Sequence, residues 1–234
     1  MFVRRICLFA LFLVLLISGA GRPVLASHKS RVLLISSYHP AFPTFFEQIN
    51  GIKSVLNPKE VELDIEFMDS KRFYYQANID NFYTSLKYKL SQLPPYDAIL
   101  VSDDNALMFT LEHQAELFPQ IPIVFLGVNN VALALEQNNN PFVTGIIERV
   151  SMQDTIQLML DLPPHPTKIY AIVDDTPSGQ GDLQTFTKTT QAYADVSFNV
   201  ISLTDYTFSE LAQRLQKIND DSAVLLLSAY RDRL

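Results

Sequence analysis

The sequence predicts an α/β protein of two lobes, each built on a parallel, doubly wound sheet. Three observations carry that reading. From Arg31 onward, short apolar runs alternate with segments of helical spacing. The runs end in clusters of hydroxyl, amide or carboxylate residues, as buried parallel strands do where they reach an open crevice. Near positions 148–151 the alternation pauses and then restarts, which marks a crossover between two units.

Each element has its own signal. The run 32–35 is a strand leading into Ser36, Ser37, Tyr38 and His39. Phe45, Ile49, Ile52 and Leu56 then recur at helical spacing, and Asn57-Pro58 stops that helix. The run 61–67 alternates apolar and acidic residues, a half-exposed strand that ends at Asp69, Lys71 and Arg72. Ile79, Phe82, Leu86 and Leu90 mark a helix closed by Pro94-Pro95. The run 98–101 is a third strand and enters Ser102, Asp103, Asp104 and Asn105; a helix carrying Leu107, Leu111 and Phe118 follows, with His113 in its middle. A fourth strand, 121–126, runs into Gly127, Val128, Asn129 and Asn130; a short helix over 131–135 and a strand over 143–147 complete the first lobe, 31–149.

The second lobe, 150–234, opens with a capping box at Ser151 and Asp154. Strands are predicted at 169–173, 196–203 and 223–227, with helices near 183–193 and 207–218, the latter behind a second capping box at Thr207 and Glu210. Ser178-Gly179-Gln180-Gly181 reads as a strand-end loop after Asp174 and Asp175. Three strands make a thin layer, so this lobe is expected to be truncated.

Composition narrows the function. The chain has 234 residues, 48% of them hydrophobic, and a formal charge of −7. Residues 1–26 hold Arg4, Arg5 and Arg22 and no acid, so the remainder is more acidic still. That field disfavours nucleic acid and anionic lipid as partners. A basic start, an apolar run over 6–17 and Val24-Leu25-Ala26 read as a signal peptide over 1–26, or else an uncleaved anchor, and place the chain in the periplasm or otherwise outside the cytoplasm. The lone cysteine, Cys7, lies within that segment, so the exported part has no thiol chemistry.

No catalytic signature is present: no phosphate loop, no His-Glu-x-x-His, no Gly-x-Ser-x-Gly. Asp103, Asp104 and His39 could meet a metal, but their pattern is weak, and neither a metal nor a cofactor is expected. What remains is a set of strand-end loops suited to a small polar or amphipathic ligand. The candidate ligand-binding residues are Ser37, Tyr38, His39, Asp69, Asp103, Asp104, Asn105, Gly127, Asn129, Asp174 and Tyr230. Asp103 has a plainer alternative, capping the helix that follows it. Lys71 and Arg72 could answer a carboxylate but read as a solvated loop pair.

Several stretches also resemble a known family. Phe67-Met-Asp-Ser-Lys-Arg72, Ser102-Asp-Asp-Asn-Ala-Leu-Met-Phe109 and Phe125-Leu-Gly-Val-Asn-Asn130 are similar to the substrate-binding-protein-like sensor domains of bacterial sensor histidine kinases and diguanylate cyclases. Val173-Asp-Asp-Thr-Pro-Ser-Gly-Gln-Gly181 and Leu226-Leu-Ser-Ala-Tyr-Arg-Asp232 fit the same pattern. The resemblance implies a two-lobed type I periplasmic binding fold, ligand binding without chemistry, and an output through a membrane-tethered kinase or cyclase. A solute-binding component of an ABC importer, working with a permease, is the alternative.

Overall fold

The computed structural model describes residues 29–234. The proposed signal segment and Cys7 lie outside them. Strands β1 (Ser30–Ser36), β2 (Val61–Phe67), β3 (Ala98–Ser102), β4 (Ile123–Val128) and β5 (Val143–Ile147) form one parallel sheet in the order β2-β1-β3-β4-β5. Helices α1 (Phe45–Val55), α2 (Gln76–Gln92), α3 (Asp104–Glu112), α4 (Gln114–Leu117) and α5 (Val131–Glu136) connect them. A second parallel sheet, β7-β6-β8, is made of β6 (Lys168–Val173), β7 (Ser197–Ser202) and β8 (Ser222–Leu226), with α6 (Met152–Asp161), α7 (Pro177–Thr190) and α8 (Phe208–Leu215).

Side chains alternate across each central strand, so each sheet has apolar groups on both faces. In the first lobe Leu33, Ile35, Ile99 and Val101 point to the face that also buries Leu86, Leu107 and Phe118. Leu34 and Leu100 point the other way, to Phe45 and Ile49 of α1. In the second lobe Ile169 and Ala171 pack with Met152, Ile156 and Phe186. Ile172 faces Ile201, Leu203 and Leu211 on the opposite side. Register brings the strand ends close to level: Ser36 pairs with Ser102 and Ser102 with Leu126, and β4 runs two residues further, so Gly127 and Val128 lie in the strand and not in the loop expected after 126. The loops after β1, β3 and β4 therefore share one edge.

Three local expectations are corrected. Ser151 stands before α6 but makes no side-chain cap. Its backbone, at φ −79° and ψ 46°, lacks the extended geometry that sets a hydroxyl over the first-turn amides. His113 is not mid-helix: it breaks the segment into α3 and α4, and its ring packs against Tyr83 and Phe109. Residues 178–181 are not a loop but the first turn of α7, where Thr176 caps the Gly179 amide at 3.1 Å and Pro177 opens the helix. The capping box at Thr207 and Glu210 does form.

The lobes differ in how well their strands are enclosed. β3 is buried between two neighbours, whereas β8 is an edge strand on which Val224 is 41% and Leu226 61% exposed. Amide exchange follows such differences in local opening. The amides of β1, β3 and β4 are expected to exchange last and those of β8 among the first strand amides, read by native-state hydrogen exchange. Equal protection of β3 and β8 would contradict this ranking.

Candidate ligand site

Both sheets present their carboxyl ends to each other, and there the lobes touch. In each sheet the strand order reverses at the central strand, between β1 and β3 and between β6 and β8. Such switch points are where open α/β sheets bind ligands.

Asp103 is the centre of the contact. It is 1% exposed and caps α3 by accepting from the Asn105 amide. It also pairs with the Lys71 ammonium at 2.9 Å and accepts from the Tyr38 hydroxyl at 2.8 Å. The cap and the contacts with Lys71 and Tyr38 thus coincide in one carboxylate. Its backbone sits at φ 79° and ψ 164°, a region that residues with a Cβ rarely adopt.

Asp104, fully buried, accepts from the amides of Asn130 and Asn129 at 2.9 and 3.3 Å. From the other lobe, the Ser178 hydroxyl donates to Asp104 at 2.8 Å while accepting from Lys71 at 2.9 Å. Burial raises the Asp104 carboxyl, against the Asn130 amide, and the nearby Asp103 charge adds to the rise. Asp182, one turn beyond Ser178, accepts from the Asn129 side chain at 3.4 Å. Burial, with Asp104 and Glu148 nearby, pushes its carboxyl up to about 6.

Tyr38 stacks on Phe42 with ring centroids 3.9 Å apart. Burial, and then the Asp103 charge, push its phenol far above the usual value. Tyr230, from the second lobe, lies with its ring centre 4.9 Å from the Lys71 nitrogen; that of Tyr38 is 5.5 Å away. The Tyr230 amide donates to Asp174 at 2.6 Å. Burial alone would raise Asp174, but donors from Thr176, Tyr230 and Ser228 outweigh it and hold the carboxyl low.

The other expected site residues are placed differently. Ser37 is wholly buried and ties loops together, donating to the Ser102 carbonyl and accepting from the Ala106 amide. His39 turns into its own loop, its ring accepting from the Ala41 amide at 3.2 Å, so it does not converge with Asp103 and Asp104 as a metal site would need. Asp69 pairs with Arg72 at the surface. Asn105 lies beside the cluster with its side-chain oxygen buried and unpaired. Gly127 serves the backbone, at φ +63°, a conformation strained for any side chain.

The sequence reading missed Lys71, Ser178 and Asp182. Lys71 is 6% exposed, not solvated. The signal for the other two was available: once Pro177 is taken as the first helical residue, Ser178 and Asp182 stand four apart on one helix face. Gly181, on the same turn, lets the lobes meet, since a Cβ there would lie 3.0 Å from the Asn129 and Asn130 backbone. A cavity of about 250 Å³ opens beside Asp182, between Val150, Met152 and Leu227.

No family model and no curated protein matches the sequence. Solved structures do. The ABC domain from Streptococcus pneumonia in complex with L-Trp aligns with a TM-score of 0.61 at 12% identity, over 85% of this chain and 65% of that one. A solute-binding protein of an ABC transporter from Rhodopseudomonas palustris, in complex with 3,4-dihydroxy benzoic acid, aligns at 0.57 and 14% identity, over 85% and 54%. The branched-chain amino acid transporter substrate-binding protein from Streptococcus pneumoniae, in complex with isoleucine, aligns at 0.54 and 12%, over 85% and 57%. The chain thus spans between half and two thirds of these proteins' length, and the fold it shares with them is that of the type I periplasmic binding proteins.

Proposed function

We propose that this chain is the ligand-gripping part of an extracytoplasmic solute-binding protein of an ABC importer. It holds a small polar or amphipathic molecule between its lobes and leaves it chemically unchanged for a membrane permease. One observation carries the reading: the strand ends of both sheets converge on a single cluster of buried carboxylates and hydroxyls flanked by two tyrosine rings. Solved proteins of the same fold are described with L-Trp, isoleucine and 3,4-dihydroxy benzoic acid bound. Among the described residues no helix is long and apolar enough to cross a membrane. A sensor module ahead of a kinase or cyclase is the second reading, favoured by the sequence motifs at 67–72, 102–109 and 125–130. It uses the same site and differs in output.

Of the expected residues, Tyr38, Asp103, Asp104, Asn129 and Tyr230 are assigned to the ligand, together with Ser178 and Asp182. Asn129 offers the cleanest test, because the bonds to Asp104 use its backbone and survive a change to alanine. Amino acids and aromatic carboxylates would be screened by calorimetry. Asn129→Ala is expected to weaken the ligand found by roughly ten- to hundredfold, as loss of a hydrogen bond to a charged group does. Unchanged affinity would remove Asn129, and the β4 loop with it, from the site.

Closure of the lobes should also depend on pH. The Asp182 carboxyl is raised from its ordinary 3.8 to about 6 in the folded protein. A group raised in this way favours the folded state while protonated; the contribution is complete below about pH 4 and is lost as pH rises through about 6. Asp104 is shifted in the same direction. The melting temperature is therefore expected to rise as pH falls from 7 to 5, and Asp182→Asn, neutral throughout, to flatten that slope. A melting temperature that climbs with pH over this range would contradict the assignment.

A further inference from the structure

The contact between the lobes gathers Asp103, Asp104 and Asp182, and its cation is Lys71. The Lys71 ammonium is received by groups of both lobes. It donates to Ser178, stands 4.9 Å from the Tyr230 ring centre, and is closed from the first-lobe side by Asp103 and the Tyr38 ring. A carboxylate, a hydroxyl and two ring faces within about 6 Å form a receptor for an ammonium group. That receptor is assembled only when both lobes contribute to it.

We propose that the interlobe site takes a protonated amine, and that Lys71 is its internal occupant, holding the place of the ligand's ammonium until the ligand displaces it. This rests on the solute-binding reading and adds the ligand class to it. The charge balance decides between this and the opposite use of Lys71, as an anchor for a ligand carboxylate. An anion brought to Lys71 would add negative charge beside Asp103 and Asp104, both buried. An ammonium exchanged for that of Lys71 leaves the balance unchanged, and the released lysine regains water. The exchange has a route: Tyr230 is 39% exposed, so the receptor reaches solvent on the second-lobe side.

An internal occupant competes with the ligand, because only the fraction of molecules with Lys71 displaced can bind. The probes are n-butylammonium, which copies the lysine side chain, n-butyrate as its anionic counterpart, and butyltrimethylammonium, which cannot be acylated. Binding of the first two to wild type and to Lys71→Met would be followed through the tyrosine ring signals in NMR titrations. In wild type, acylation of Lys71 would be timed by mass spectrometry with and without butyltrimethylammonium. Lys71→Met is expected to bind n-butylammonium about tenfold more tightly than wild type, and butyltrimethylammonium to speed Lys71 acylation several-fold. The labelling arm uses unaltered protein, so it stands even if the variant fails to fold. Butyrate binding to wild type and lost in Lys71→Met would overturn the amine assignment while leaving an interlobe site in place. No binding of butylammonium to a folded Lys71→Met, or Lys71 acylation unmoved by the quaternary amine, would overturn it as well. The solute-binding reading is judged separately, by whether any screened ligand loses affinity in Asn129→Ala.

Discussion

The ion pair between Lys71 and Asp103 is the interaction on which the arrangement of the lobes depends. Both side chains are almost fully removed from water, at 4% and 2% exposure. Taking two charges out of water costs several kcal/mol each, and attraction offsets this only when further hydrogen bonds complete both groups. Here they do. Asp103 has the Tyr38 hydroxyl and the Asn105 amide, and Lys71 has Ser178 and two ring faces. The completing groups come from both lobes, so separating the lobes uncovers the pair and removes Ser178 and Tyr230 from it. The pair therefore links the local chemistry of two loops to the relative position of two sheets.

That link is possible because of strand direction. Parallel strands joined by right-handed crossovers put all their carboxyl ends on one edge, and register levels Ser36, Ser102 and Leu126 there. The second sheet repeats the pattern on a smaller scale. Its central β6 ends at Asp174, whose carboxylate gathers Thr176, Ser228 and the Tyr230 amide. Tyr230 is thus positioned by its backbone, through a carboxylate at the switch point of its own sheet, before its ring faces Lys71. In the first lobe Ser37 has the corresponding task, joining the loops after β1 and β3.

Much of this was legible in the sequence because parallel strands are apolar throughout and end abruptly in polar residues. The bounds of β2 and β5 were read as found, and the loops carrying Tyr38, Asp103 and Asn129 were named from strand ends alone. What was not legible had physical causes. The start of α7 was hidden by Gly179 and Gly181, which disfavour a helix by about 1 kcal/mol each; at Gly181 the requirement is clearance for the first lobe. In the sequence Lys71 reads as solvated because lysine almost never lies buried without a partner, and its partners are 32 and 107 residues away. No local pattern reports a partner at that distance. Asp103 and Asp104 are visible singly at a strand end and Asp182 is not, and the sharing of one buried contact by all three depends on the meeting of two lobes.

Asp103 shows why such a site resists a purely local reading. As a helix cap, an aspartate ordinarily takes an extended backbone that strains nothing. Asp103 instead sits at φ 79° and ψ 164°, a conformation costing about 1–3 kcal/mol for a residue with a Cβ. Capping α3 alone supplies no reason to bear that cost, because the cap would be made as well from relaxed geometry. The turn lets the carboxylate do more than cap: one oxygen meets both the Asn105 amide and Lys71, and the other accepts from Tyr38. The strain is offset by contacts that exist in full only with the lobes together. A chain that places a strained carboxylate and a buried ammonium on one lobe, and a clearance glycine on the other, has spent local stability on the fit between its lobes.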